Sequence, residues 1–490
     1  MYDMIIRGGT VATAADTTVQ DIAIQDGKIV ALGTSLGEAV QVIEAQGKII
    51  TPGGIDSHCH IEQKSSSGLM TADDFYSASR SAAFGGTTTI IPFAAQHKGQ
   101  SLYDVFDDYH RRASEKSVID YAYHLIIADP SPAVMGDQLE EMIDRGVTSF
   151  KIYMTYESLK LDDYQILEVL FRARELQSLV MIHTENNDVI RWLTDKLLAL
   201  GHSQPKYHAI SHARIAESEA AHRAISLAEL LDTPMLIVHV SSAEATAEIR
   251  RAQERGLKIY GETCPQYLFL TAEDLDREGM DGAMYCCSPP PRDKAAQDTI
   301  WRGLCNGTFE VFSSDHSPYR FDSSGKLSAG KEPSFDKIAN GVPGLEIRMP
   351  MLFSAGVGTG RISLNQFVAV TATNAAKMYG IYPQKGTIAV GSDADIVIWD
   401  SQRQVTLSTE MLHDEAGYTP YSGTKVTGWP ETVLCRGRIV IADNQLQVKR
   451  GSGAYVHCAL SEYAIPSGKA VSELNPASNF GAQIIGANND

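Results

Sequence analysis

The segment Asp56-Ser57-His58-Cys59-His60 sets two imidazoles two residues apart. In extended chain that spacing turns both to the same side and sends Cys59 the other way. Further along stand Lys151 in TSFKIYM, His183 in LVMIHTE, His239 in MLIVHVS and Asp315 in FEVFSSDH, each at or near the end of an apolar run. Imidazole and carboxylate are donors that suit zinc or a similar divalent ion, and a hydrolytic ion must keep a position open for water. Six such groups exceed what one tetrahedral catalytic ion accepts, so two ions are expected, sharing a hydroxide and clamping the attacked oxygen. Lys151 is the odd member. Its ammonium would be repelled by two cations, whereas a lysine made neutral there reacts with carbon dioxide to give an anionic carbamate able to bridge them. Asp315 is placed to take a proton from the bridging water and deliver it to a leaving nitrogen, as base and then acid. Tyr156, in KIYMTY just past Lys151, is a candidate hydrogen-bond donor to a developing oxyanion; the plainer reading is an exposed loop aromatic.

A strand histidine taken alone is ordinarily a packed or surface residue, and His97, His124, His202, His212 and His222 are read that way. The six groups above differ in their joint placement. Packing alone would put Val, Ile or Leu at strand ends, so polar groups on five separate strands need a shared partner.

The elements that must position them are legible as alternation. Eight short apolar runs, at 48–56, 87–93, 121–127, 148–154, 179–185, 235–241, 258–264 and 309–316, alternate with longer stretches of helical periodicity such as DYQILEVLFRARELQ and ARIAESEAAHRAISLAELL. Alternating strands and helices predict a parallel sheet, and eight of them a closed (β/α)8 TIM barrel of the α/β class, whose active sites stand at the C-terminal rim. Both chain ends are instead rich in short β runs punctuated by glycine, DIAIQDGKIVALG at one and KGTIAVGSDADIVIWD at the other, and are expected to pair into one small β domain. The expected boundaries are 1–53 and 383–464 for that domain, 54–382 for the barrel, and 465–490 for an irregular tail rich in Ser, Asn, Gly and Ala.

Composition narrows the function classes. With 490 residues, 43% of them hydrophobic, the chain can bury a large core in two structural units. A formal net charge of -18 argues against nucleic-acid binding, which draws its affinity from clustered Lys and Arg. No apolar run reaches membrane-spanning length, and MYDMIIRGGTV enters a strand pattern directly, so a soluble, cytoplasmic protein with no membrane partner is expected. Seven cysteines without a CxxC pair are expected as reduced thiols.

The motifs TPGGIDSHCH, FGGTTTI, FKIYMTY, MIHTEN, IVHVSS, ETCPQYL, SPPPR, SSDHSP and NGVPGLE together resemble the dihydropyrimidinase/hydantoinase branch of the amidohydrolase superfamily, over residues 1 to 460. The resemblance implies a barrel with a β-sandwich built from both chain ends, a homotetramer, and hydrolytic ring opening of a cyclic amide or ureide. It implies His58, His60 and Asp315 on one zinc, His183 and His239 on the other, and carboxylated Lys151 bridging. It makes Tyr156 the oxyanion donor and assigns substrate-amide contacts to backbone groups at Ser288 and Asn340; on residue type alone, these two are turn residues before proline and glycine.

After the paired histidines, relatives continue with an apolar loop containing Pro and Phe, whereas this chain has Ile61-Glu62-Gln63-Lys64-Ser65-Ser66-Ser67. A polar wall there would favour an unsubstituted or methylated dihydropyrimidine over aryl hydantoins. The competing enzyme readings are dihydroorotase and allantoinase, but no Arg, the usual holder of a dihydroorotate carboxylate, stands between Ile61 and Ser79. A non-catalytic scaffold of the same fold is the reading from another class, and all six ligand positions being filled opposes it.

Overall fold

In a computed structural model, residues 1–65 and 68–484 are described. Ser66 and Ser67 of the loop and positions 485–490 of the expected tail lie outside the described residues. The strands of the two chain ends form one nine-stranded sheet. Ile49–Pro52 from the front pairs antiparallel with Ile396–Thr406 from the rear, Ile50 opposite Ile398. The long strand Tyr2–Ala12 pairs with Ala39–Glu44 along its first half and with Ile49–Pro52 along its second, so the sheet forks there. Ile6, Ile22, Ile24, Ile50, Ile396 and Ile398 make its core. Asp26-Gly27, both at positive φ, close the hairpin between Gln25 and Lys28, as a two-residue turn with right-handed strand twist requires.

Each of the eight predicted runs contains barrel strand, in the order Gly54–Asp56, Thr87–Ile90 with Phe93–Ala95, Asp120–Tyr121 with His124–Ile126, Ser149–Tyr153, Leu179–His183, Met235–Ile237, Ile259–Thr263 and Val311–Phe312. Neighbours pair in parallel. The second and third strands are each broken in two. At the first break Pro92 brings no N–H to the ladder. The ring closes at the rim, where His60 N donates to His316 O at 2.8 Å and Phe93 N to Cys59 O at 3.2 Å. Leu179 and Met181, Leu236 and Val238, and Ile55, Ile126 and Val311 fill the barrel as one apolar cluster. The outer helices include Asp163–Glu175, capped by Asp162 with Gln165 reaching back, and Arg214–Leu231, close to the predicted spans. Among the described residues no helix is long and apolar enough to cross a membrane, and all seven cysteines are free.

Barrel and end sheet are joined by a buried ion cluster. Lys385 Nζ lies 2.6 Å from Asp120 Oδ2, 2.8 Å from Asp395 Oδ2 and 3.1 Å from Asp393 Oδ2, and Arg436 Nε donates to Asp120 Oδ1 at 3.0 Å. The ammonium thus fills the space where three acidic groups would otherwise repel. Lys385→Met strands those carboxylates in a low-dielectric interior and is expected to cost about 3–5 kcal/mol, read as a lower urea midpoint.

Candidate metal centre and substrate pocket

Asp56, at the end of the first strand, accepts His58 N and Ser314 N on Oδ1, each at 3.2 Å. Arg348, itself fully buried, stands 3.6 Å from the other Asp56 oxygen and donates to Phe312 O and Thr87 Oγ1. These bonds tie the first strand end to the last and so bring the paired histidines to Asp315. His58 Nε2 approaches Asp315 Oδ1 to 3.2 Å and His60 Nε2 approaches it to 3.5 Å. The three donor atoms all lie within 4.8 Å of one another. The far nitrogens are also held: His58 Nδ1 is 2.6 Å from Glu262 Oε1, and His60 Nδ1 is 2.9 Å from Gln63 Oε1. Gln266 donates to Asp315 Oδ2 at 3.3 Å.

His183 and Lys151 reach the same place by strand alternation. His183 continues the inward series of Leu179 and Met181, and Lys151 shares its face with Tyr153 of the barrel cluster. His239 does not follow that rule. Leu236 and Val238 face inward, so residue 239 of a regular strand would face the helices; a left-handed backbone, φ +40°, turns the imidazole back. Tyr156 and Asp315 are also left-handed, at φ +68° and +48°. Such backbone costs about 1–3 kcal/mol per residue and concentrates at functional sites. The ring centroids of His183 and His239 stand 4.5 Å apart and those of His58 and His239 5.3 Å apart.

The electrostatics fit a cation. Burial, then the neighbouring His183 and Lys151, holds the His239 imidazole far below its ordinary pKa, and burial lowers His60 and His183, so these rings keep lone pairs free. Burial pushes the Asp315 carboxyl up, but His58, His60 and His239 together outweigh it and hold it well below the carboxylate range. Burial brings Lys151 down to about 8 against the opposing pull of Glu262 and Asp315. Among the described residues Lys151 Nζ, His58 Nε2 and His239 Nδ1 are buried without a hydrogen-bond partner. Interior polar atoms are rarely left so, and an oxygen- and nitrogen-lined cluster of this kind suits zinc or a similar divalent ion.

Next to this cluster opens a cavity of about 620 Å³ bordered by His60, His183, His239 and Asp315 and walled by Tyr156, Ser288 and Asn340. Burial, reinforced by Glu185, pushes the Tyr156 phenol up, so it stays protonated and able to donate; Ser288 and Asn340 face it. Gly341 follows Asn340 at φ +145°, where a Cβ would stand 2.2 Å from Ser317 O, so only glycine allows that turn.

Behind the wall stand Glu185, which sequence reasoning did not name, and His212. Glu185 Oε2 accepts from Ser288 Oγ at 2.6 Å and stands 2.8 Å from His183 Nε2, while Oε1 stands 2.8 Å from His212 Nδ1. His212, expected to be an ordinary packed or surface residue, is therefore part of the pocket network. The polar loop reaches the cavity only in part. Ile61 is in the core, and Glu62 turns out to Lys116 at 2.7 Å and Arg112 at 3.9 Å. Among the described residues of 61–65, only Gln63 and Ser65 reach the cavity, beside the apolar Leu69, Leu159 and Ile338.

Residues 49–440 match the amidohydrolase family model. The chain is 44% identical over 440 residues to a D-hydantoinase of Ralstonia pickettii, covering 90% of this chain and 95% of that protein. It is 44% identical over 454 residues to a D-hydantoinase of Geobacillus stearothermophilus, covering 92% and 96%. The solved structure of a dihydropyrimidinase from Brevibacillus agri superposes with a TM-score of 0.91 at 44% identity, covering 94% of this chain and 99% of that one. The family match, the sequence identity, the shared fold and near-complete coverage lead to one conclusion: this chain belongs to the amidohydrolase family, in its dihydropyrimidinase/D-hydantoinase branch.

Proposed function

We propose that this chain hydrolyses the ring amide of a hydantoin or a 5,6-dihydropyrimidine, releasing an N-carbamoyl amino acid. In this reading His58, His60 and Asp315 hold one divalent cation, expected as zinc, His183 and His239 hold a second, and Lys151 serves both as its N6-carboxylated form. The observation that carries it is the gathering of donor atoms of His58, His60 and Asp315 within 4.8 Å of one another, with the His239 ring 5.3 Å from that of His58 and 4.5 Å from that of His183, and with the buried Lys151 amine lacking a hydrogen-bond partner among the described residues. When bound, the two cations supply Lewis acidity, which lowers the pKa of water and polarises an amide carbonyl.

The chain's own residues do the rest. Backbone groups at Ser288 and Asn340 hold the ring amide against the cluster. Asp315, kept ionised by the imidazoles around it, takes a proton as water oxygen bonds to the carbonyl carbon. Tyr156 donates to the carbonyl oxygen as it gains charge. Asp315 then returns the proton to the ring nitrogen as the C–N bond breaks, so water's oxygen ends on carbon and its proton on nitrogen. Tyr156→Phe removes only that donor and is expected to lower kcat roughly 10²–10³-fold, with KM moving little.

With Glu62 turned away, the loop gives little support to a preference for small rings, and the mixed wall of Ser65, Leu69, Leu159 and Ile338 admits a substituent at ring position 5. The direct test follows the ultraviolet absorbance of dihydrouracil and several 5-substituted hydantoins during ring opening. Activity is expected to vanish after chelation and return with zinc; full activity in metal-free protein contradicts the reading. Assembly as a homo-oligomer, expected as a tetramer, is supported by the helix Asn187–Ala199, which buries none of its residues, and by Trp192, Leu200, Ile210 and Ile215, each more than half exposed. Light scattering on the purified chain measures it. Free cysteines fit a cytoplasmic location.

A further inference from the structure

We infer that Glu262 is a positioning residue for the metal centre, orienting two of its ligands from different strands; this rests on the two-cation reading above. Glu262 stands on the strand Ile259–Thr263, shares its face with Tyr260, which packs against the barrel cluster, and is fully buried. A buried carboxylate is costly and is retained where it holds something in place. Its Oε1 meets two partners: His58 Nδ1 at 2.6 Å and the backbone N–H of His239 at 3.1 Å. Its main-chain oxygen accepts Val240 N at 2.8 Å, so the same residue grips the turn around His239 a second time.

A carboxylate only accepts, so the proton of a neutral His58 ring must sit on Nδ1. That leaves the Nε2 lone pair bare, and Nε2 is the atom aimed at Asp315. The backbone bond acts differently. It holds residue 239 in the left-handed conformation without which its imidazole would face the helices. One oxygen thus fixes the tautomer of one ligand and the direction of another. The second oxygen, Oε2, is buried and has no partner among the described residues. The carboxylate also acts electrostatically on Lys151, and its negative charge adds attraction for a cation in the cluster.

The test is metal affinity. Glu262→Gln keeps the shape and one acceptor oxygen for both bonds, and places its NH₂ where Oε2 stands, but removes the charge and weakens the acceptor. Metal-free wild type and E262Q are titrated with Co²⁺ against a chromophoric chelator, with the visible Co²⁺ spectrum recorded. E262Q is expected to bind about 10–100-fold more weakly, with an altered Co²⁺ spectrum and an unchanged unfolding temperature in the metal-free state. A merely structural role would lower that temperature and leave the affinity of the folded protein alone. Equal affinity and an equal spectrum in E262Q overturn the inference while leaving the metal centre standing. If wild type takes up no Co²⁺, the metal reading itself falls and this inference with it. Should E262Q not fold, Glu262→Asp, which keeps the charge but withdraws it by one methylene from His58, must show the same loss of affinity; wild-type affinity in E262D overturns the inference.

Discussion

Lys151→Ala is expected to lower kcat/KM by roughly 10⁴-fold, about 5.4 kcal/mol at 1.36 kcal/mol per tenfold. The amine is fully buried, faces two aromatic rings and has no hydrogen-bond partner among the described residues. A pKa brought down to about 8 leaves a usable fraction of it neutral near physiological pH, which is the form that reacts with carbon dioxide. The proposed carboxylation would replace a charge that repels cations with one that attracts them. Alanine removes it, and the variant is expected to retain less metal than wild type. Wild type stripped of metal and reconstituted without bicarbonate is expected to stay inactive until bicarbonate is added. A K151A variant within tenfold of wild type, or full activity on reconstitution without carbon dioxide, contradicts the role given to Lys151.

Asp315→Asn is expected to cost a similar factor, roughly 10⁴-fold in kcat, because the general acid and base work proposed for it contributes up to that much and the same group is also proposed as a ligand. The amide nearly matches the carboxylate in shape, and Gln266 can still reach it, so the fold should be unaffected. What it loses is the ability to take a proton from water. The loss is expected at every pH between about 6 and 9, since the wild-type carboxyl, held low by His58, His60 and His239, is already ionised throughout that range. A D315N enzyme within tenfold of wild type would assign proton transfer to another group.

Why the proposed cluster is legible in the sequence follows from the barrel. A strand buried on both faces reads as a continuous apolar run, so Lys151 in TSFKIYM or His183 in LVMIHTE stands out, and alternation decides which way it points. The breaks in the second and third strands are less legible, because Ile91-Pro92 continues an apolar run and only pairing with neighbours shows where the ladder stops. The orientation of His239, unlike its candidacy, is illegible for a different reason. Its left-handed turn has no glycine or asparagine to announce it and is held by Glu262 from the next strand. Glu262 itself carried the same signal as Lys151, a charge inside the apolar run KIYGETC, and alternation would have placed it inward. Glu185, His212 and Ser288 meet from three distant segments, and no local spacing joins them. The Lys385 cluster is similar: four charges dispersed between residues 120 and 395 become one unit only when the two parts of the fold meet.

The most direct measurement is anomalous diffraction at the zinc edge from crystals of active enzyme, with metal content determined on the same preparation. About two zinc ions per chain are expected, both inside the cluster of His58, His60, Lys151, His183, His239 and Asp315, together with density for a carboxylate on Lys151 Nζ. An active preparation with no metal at these residues, or with Lys151 unmodified and remote from it, would contradict the central claim.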